Sequence, residues 1–477
     1  MTALAEILAA RGAHLSGSDV ADTFYTDAIL AGLGMKLGVG FEASTLPAAC
    51  DLVIHSAAYP RESNPQLLEA ARRGLPVLSY PEALGALSRL QDSSGIAGVH
   101  GKTTTTALAG SLVAALALPA TTIAGSAVSS FATPGFPARS TRIVGDRYLI
   151  AETCEYRRHF LHFSPRRIVL TSIESDHQDF FPTYADIRQA FLDYIASLDR
   201  GGSLIYCADD PGATSAALEA GAARPDLRLL PYGESASGDW RLVEFRSGEG
   251  RSDFRVAGIE RTFSLRVPGR HVVLDAVAAL ALATEILATE EEREASASLI
   301  DSRRSEVLAA ALLAFAGSKR RSEILGEARG VLFMDDYGHH PTAIDLTIRG
   351  IRDFWPSRRL VVDFMSHTYS RTKALLPEFA AALDGADEVV LHGIYASARE
   401  APDPAVSGVI LAEAVRARAT SARHAGKVTY VDSPLGALDA LAASLRPGDL
   451  FLTMGAGDNW KLGATLLERL RGEEGRA

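Results

Sequence analysis

The residues best placed to do chemistry form one run, Gly98-Val99-His100-Gly101-Lys102-Thr103-Thr104-Thr105-Thr106. Two glycines, then Lys-Thr, then an apolar helical pattern have the makings of a phosphate cradle. Glycine lets successive backbone N–H groups turn toward one point, and a helix starting near Lys102 favours an anion there. In this reading Gly98, His100, Gly101, Lys102 and Thr104 surround the outer phosphates of a nucleotide, and the Thr103 hydroxyl ligates Mg²⁺. Arginine supplies most of the 48 basic residues, so a lysine here stands out from the composition. The general pattern also asks for glycine five residues before Gly101, where Ile96 stands. An ordinary strand-to-helix turn is the alternative.

Acids and histidines fall at the ends of the surrounding apolar runs. Residues 148–152 read as a strand ending at Glu152. Residues 167–173 read as a second, delivering Glu174-Ser175-Asp176-His177-Gln178-Asp179, and 203–206 as a third, ending at Asp209-Asp210. Ligands of parallel α/β sheets bind outside the carboxyl ends of strands, so Glu152 and His177 are expected to converge with Thr103 on magnesium. Pro268-Gly269-Arg270-His271 opens an alanine-rich helix. Later strand ends carry Asp335-Asp336-Tyr337-Gly338-His339-His340, His367-Thr368-Tyr369-Ser370-Arg371-Thr372 and Gly455-Ala456-Gly457-Asp458. His339 and His340 read as separate contacts, because neighbours in a loop point apart.

Positioning these groups needs strands that alternate with helices, and a chain of 477 residues has room for two to four domains. Residues 1–91 read as a small α/β unit. A helix is stopped by Gly12, a strand over 13–19 ends on Asp19, strands follow at 52–56 and 76–79, and a helix spans 66–73. Asp19 suits a nucleotide ribose or is a solvated loop acid. Residues 92–315 hold the phosphate loop, with 287–305 as a charged, solvated helical connection. Residues 316–477 alternate most clearly, with strands at 330–334, 360–364, 388–391, 428–431 and 450–454, a doubly wound parallel pattern. The fold class is α/β throughout.

A net charge of -10 argues against a nucleic-acid partner. Cys50, Cys154 and Cys207 are too scattered for a disulfide framework or a zinc site. No basic-then-apolar segment opens the chain and no apolar run approaches membrane-spanning length, so a cytoplasmic protein without membrane insertion is expected.

In combination, Gly98-x-His100-Gly101-Lys102-Thr103-Thr104-Thr105, Glu174-x-Asp176-His177, the run from Asp335 to Thr342, His367-x-Tyr369-x-Arg371-Thr372 and Thr453-Met454-Gly455-Ala456-Gly457-Asp458 resemble the motifs of the Mur ligases. These are the ATP-dependent ligases that build the peptidoglycan peptide, and the resemblance spans nearly the whole chain. It implies an N-terminal Rossmann-like UDP-sugar domain, a central P-loop ATPase domain with a mostly parallel sheet, and a C-terminal doubly wound domain that receives the amino acid. The motifs are most similar to the branch that joins L-alanine to UDP-N-acetylmuramate. There the lactyl carboxylate attacks the γ-phosphate of ATP, and the amine of L-alanine opens the acyl phosphate.

Residue by residue, the resemblance implies that Lys102 and the loop amides hold the β- and γ-phosphates. It places one Mg²⁺ on Thr103 and Glu152 and a second on His177, and brings Arg320 or Arg321 to the γ-phosphate. His271, Asp335 and Tyr337 fall at nucleotide-binding positions, and Asp19, His55 and Ser56 are expected to bind the UDP-sugar. His340 and Arg371 stand beside the amino acid, whose carboxylate Arg371 would clamp with two hydrogen bonds. Lys102, His177, Arg321 and His340 are thus the expected catalytic residues.

The chain departs from the family pattern in four places. Thr153-Cys154-Glu155-Tyr156 replaces Ala-Asp-Glu-Ser, Ser172 replaces an Asn, and Thr368 replaces the first arginine of the amino-acid loop. His271-Val272-Val273-Leu274-Asp275 replaces His-Asn-x-x-Asn, which puts amide readout of adenine in doubt. A ligase that recycles a whole tripeptide onto UDP-N-acetylmuramate is the alternative with the same chemistry; a non-catalytic nucleotide-binding remnant is the alternative of another class. The first helix matches the family from its methionine onward, without the strand and glycine turn found before it there. A reading frame starting roughly 15 to 25 residues upstream is therefore expected, as is a first sheet with open edges.

Overall fold

Apolar runs bounded by Gly, Asp and Pro fold as strands, and the stretches between them as helices, in both units into which the chain divides. The computed structural model describes residues 1–293, 296–396 and 400–474. One unit comprises Met1–Glu174, Ala185–Pro231 and Leu282–Ala295; the other comprises Ser175–Tyr184, Tyr232–Ala281 and Ser296–Ala477.

The first unit opens with two separate parallel ladders, β1 (Ser16–Asp19) with β2 (Lys36–Val39) and β3 (Val53–His55) with β4 (Val77–Ser79). Among the described residues β1 pairs with β2 alone and β3 with β4 alone. A seven-stranded sheet follows. Its strands are β5 (Asp92–Ala97), β6 (Ala120–Val128), β7 (Arg139–Ile143), β8 (Tyr148–Glu152), β9 (Arg167–Leu170), β10 (Ser203–Cys207) and β11 (Arg228–Tyr232). Their order is β11-β10-β9-β5-β8-β6-β7, with β7 antiparallel to β6 and the ladders joining β10, β9, β5, β8 and β6 parallel. Leu149, Ile150, Ile168 and Val169 are fully buried, as strands covered on both faces require. After β5 the chain builds one side of the sheet and later returns to the other. The order therefore reverses at β5, where a ligand crevice belongs.

The second unit holds an antiparallel sheet of β12 (Leu242–Gly248), β13 (Arg251–Val256) and β14 (Phe263–Leu265). Its larger sheet contains β15 (Glu323–Ala328), β16 (Val331–Asp336), β17 (Arg359–Phe364), β18 (Glu388–Leu391), β19 (Val428–Tyr430) and β20 (Asp449–Met454), in the order β15-β16-β20-β17-β18-β19. Helices cover both faces. Ile344, Ile348, Phe379 and Leu411 pack with Leu332, Val362 and Leu452 on one side, and Leu441, Leu462 and Leu466 with Phe333, Val361 and Phe451 on the other. The sheet is doubly wound.

Three expectations need correction. The antiparallel edge strand β15 was not legible, because its burial alternates weakly and Gly326 interrupts its register. Residues 287–305 are no solvated connection: Leu287, Ala288, Ala297, Leu299 and Ile300 are buried. The helix Arg270–Glu290 is long and apolar enough to cross a membrane, contrary to the sequence reading, but 89% of its most apolar stretch lies buried in the protein.

Candidate functional site

The phosphate loop leaves β5 and enters the helix Lys102–Ala115. Gly101 is the N-cap at φ 79°, a left-handed conformation that glycine adopts without a Cβ penalty. Gly98 stands at φ 139°, and a Cβ there would overlap the Thr171 hydroxyl and the Ser172 backbone. This close approach locks the loop to the end of β9: Val99 N–H donates to Ser172 O (3.1 Å), His100 N–H to Ser172 Oγ (3.0 Å), and Thr171 Oγ1 to the carbonyls of His100 and Ala97. Ser172, which replaces the family's Asn, thus holds the loop. Ile96 is fully buried inside β5, so the loop is shorter than the general pattern because the strand continues through that position.

Lys102 Nζ donates to Gly98 O and lies 3.0 and 3.2 Å from the two Glu155 carboxylate oxygens. Burial lowers the pKa of its ammonium, but the Glu155 carboxylate, with Cys154 and Glu152, outweighs that and holds it above the ordinary value. Thr103 is buried at the second position of the helix. Glu152 ends β8 directly beside β5, opposite Ile96, and its Oε2 accepts from Gly125 N–H at 2.8 Å. His100 Nε2 faces Glu174 Oε2 at 3.7 Å. Thr104 follows Thr103 in the first turn of the helix.

Asp19 and Ser56 are linked by a residue the sequence reading missed, and His55 is held by a second. Tyr59 N–H donates to Ser56 O (3.1 Å) and its phenol reaches Asp19 Oδ1 (3.5 Å). Arg61 Nε donates to His55 Nε2 at 3.2 Å and its guanidinium pairs with Glu82 at 2.5 Å. Only Asp19, at a strand end, gave a sequence signal; Tyr59 and Arg61 lie in a polar turn with none.

In the second unit, the acid of the Glu174-x-Asp176-His177 run meets the arginine of the amino-acid loop. Arg371 Nη2 donates to Asp176 Oδ1 at 2.6 Å, and Nη1 lies 3.2 Å from His367 Nδ1. Both terminal nitrogens of the guanidinium thus have a partner inside the protein. Burial raises the Asp176 carboxyl, but Arg371, His177 and His339 outweigh it and hold it well below the usual carboxylate range. His339 joins this group, its ring edge-on to Tyr337 (5.2 Å) and to His367 (5.8 Å). Burial, and then the Arg371 charge, push its pKa well below the ordinary imidazole value. His340, which the family resemblance places beside the amino acid, is the buried N-cap of the helix Pro341–Phe354.

A polar pocket opens beside this group, lined by His177, Asp179, His367, Thr368, Arg371 and Glu400 among others. Two of its residues are strained: His177 at φ 53° and β-branched Thr368 at φ 65°. Glu400 accepts from the backbone N–H groups of Tyr369 (2.7 Å) and Ser370 (3.1 Å), fixing the loop that carries Arg371.

Asp335 is buried and accepts from Arg320 Nε (2.9 Å) and Thr453 Oγ1 (2.6 Å), so it orients Arg320. Arg320 and Arg321 flank the Tyr337 ring with their guanidinium carbons 5.0 and 5.2 Å from its centroid. Arg320 further donates to Gly455 O at 2.7 Å, tying together two strand-end motifs. His271 is the second residue of the helix Arg270–Glu290, its ring packed over Gly269 where a Cβ would otherwise stand.

Models of three Mur ligase regions match the chain: the family's catalytic domain at residues 1–91, its middle domain at 96–283, and its glutamate ligase domain at 320–457. UDP-N-acetylmuramate–L-alanine ligase of Treponema pallidum is 50% identical over 473 residues, covering 99% of this chain and 95% of that protein. The protein of the same name from Borreliella burgdorferi is 36% identical over 463 residues, covering 96% and 94%. Among solved structures, UDP-N-acetylmuramate-alanine ligase from Thermotoga maritima superposes with a TM-score of 0.75 at 22% identity, covering 99% of this chain and 97% of that one. A murein peptide ligase from Psychrobacter arcticus reaches 0.62 at 22% identity, covering 99% and 96%, a likeness of fold.

Proposed function

The chain belongs to the Mur ligase family, and from that premise we propose that it joins L-alanine to the lactyl carboxylate of UDP-N-acetylmuramate while ATP is cleaved to ADP and phosphate. The observation that carries this reading is the phosphate loop, with its two positive-φ glycines and buried Lys102-Thr103, in a chain alike over its full length to L-alanine ligases. Residues 1–91 receive the UDP-sugar, 92–315 ATP, and 316–477 the amino acid.

A carboxylate is a poor electrophile. Its oxygen attacks the γ-phosphorus, ADP leaves, and the acyl phosphate so formed exposes a carbonyl carbon to the amine of L-alanine; the amide bond forms as phosphate departs. Such a transfer needs positioning and charge stabilisation more than covalent help from the protein. Lys102 and the loop amides hold the β- and γ-phosphates, and Arg320 or Arg321 adds positive charge. The Thr103 hydroxyl and Glu152 carboxylate are hard oxygen donors of the kind Mg²⁺ takes, and His177 is assigned to a second ion. Bound magnesium supplies neutralisation of charge on the transferring phosphoryl group. His339, His367 and Arg371 form the wall against which the amino acid is held.

A coupled phosphate-release assay tests the reading. Release is expected only when ATP, UDP-N-acetylmuramate and L-alanine are all present. Release with the tripeptide but not with L-alanine would move the assignment to a recycling ligase; no ATP cleavage under any combination would leave a nucleotide-binding remnant.

A further inference from the structure

Glu155 has no part in the chemistry above, yet its carboxylate is buried at 1% exposure and directed at the Lys102 ammonium. Lys102 Nζ meets Gly98 O, the Val99 carbonyl at 3.4 Å and both Glu155 oxygens, so its protons are all directed into the protein. The two partners differ in freedom. Glu155 sits in a turn that the core holds: Thr153 N–H donates to Ile96 O (2.9 Å), Arg158 N–H to Glu155 O (2.8 Å), and Phe160 N–H to Cys154 O (2.9 Å). Phe160 in turn stacks on Tyr194 at 4.5 Å. Two consecutive left-handed residues, Arg157 and Arg158, fix the path of the chain out of that turn. Lys102 by contrast hangs on a flexible four-carbon stem at the mouth of the loop.

We propose that Glu155 is a positioning residue for the nucleotide: it holds the Lys102 ammonium in the phosphate loop and yields it to an incoming β-phosphate. The inference rests on the reading of Lys102 as the phosphate-binding lysine. A phosphate must take its hydrogen bonds from the ammonium protons that Glu155 and the loop carbonyls now engage, and it arrives beside a buried carboxylate of like charge. Glu155 therefore lowers nucleotide affinity while keeping Lys102 ordered, and it takes the ammonium back as ADP leaves. The effect belongs to ligands that carry a β-phosphate and is absent for AMP.

Calorimetric titration of the full chain with ADP and with AMP tests this. Glu155→Gln keeps the shape and removes the charge; its ADP dissociation constant is expected to fall about tenfold, with AMP unchanged. Glu155→Asp, which keeps the charge but withdraws it by one methylene, is expected to gain less, and it decides the matter alone if the Gln variant does not fold. Weaker ADP binding, no change, or an equal change for ADP and AMP in the folded variant each overturns the proposal. Lys102→Met is the separate control. If it leaves ADP binding intact, the assignment of Lys102 itself falls, whatever Glu155 does.

Discussion

The phosphate loop and the polar pocket of the second unit are both built at strand ends, but by different means. The loop is shaped by backbone: two glycines at positive φ, amides tied to Ser172, and a lysine whose acidic partner lies in the turn after the neighbouring strand β8. The pocket is shaped by side chains from distant segments, with Asp176 and Arg371 paired across 195 residues and strain placed on His177 and Thr368, neither of them glycine. A backbone-built anion site is set by a few local choices and does not depend on a partner's rotamer. A side-chain-built site is coupled, so that one substitution disturbs several neighbours.

That contrast can be broken at either end. The largest effect is expected for Lys102→Met, which should cut kcat/KM about 10³–10⁵-fold by removing charge from the transferring phosphoryl group. Because it also leaves Glu155 buried without its counter-charge, stability should fall; adding Glu155→Gln should restore the melting temperature but not the activity. Recovery of activity in the double variant would mean the loop does not depend on its lysine.

Asp176→Ala comes next. Leaving the Arg371 guanidinium buried without its carboxylate should cost about 3–5 kcal/mol of stability in denaturant titration. A loss below about 1 kcal/mol, the range of surface pairs, would show the pocket to be no more coupled than a solvated ion pair. Arg371→Lys is a gentler probe. Lysine cannot face Asp176 and His367 together, so KM for L-alanine should rise about tenfold with KM for ATP little changed. Equal rises in both would make Arg371 a support of the whole unit.

The smallest effect concerns pH. Deep in the second unit His392 Nε2 lies 2.6 Å from Asp363, which Asn459 also holds at 2.9 Å. Burial lowers the His392 pKa, but the Asp363 charge and hydrogen bonds outweigh it and raise it above 6.5. A raised histidine contributes stability that is full below its unfolded value and is lost as pH rises through its folded one. The stability advantage of the parent over His392→Gln, on the order of 1 kcal/mol, should therefore shrink as pH rises above 6.5. An advantage that grows with pH would mean the imidazole is buried neutral.

Much of the fold was legible from the amino acids. Residues 148–152 and 388–391 are strands at their expected bounds, and the alternation after residue 316 does yield a doubly wound sheet. The phosphate loop was legible for the same reason: a glycine requirement and an apolar strand are local properties, read from neighbours in the chain. Contacts between strand-end loops were not. Alternation of strand and helix does not state the order in which strands lie, and the order β16-β20-β17 brings Thr453 to Asp335 and Gly455 to Arg320. Sequence position favoured His340 over His339, yet side-chain direction around one turn decided which of them meets His367. The sequence by itself therefore determined the elements, the anion-binding loop and the kinds of residue at each strand end. Only the tertiary structure decided which of those residues are spent on one another, as Arg371 is on Asp176 and Lys102 on Glu155, because a charge leaving water must find its partner among whatever groups the packed sheet sets beside it.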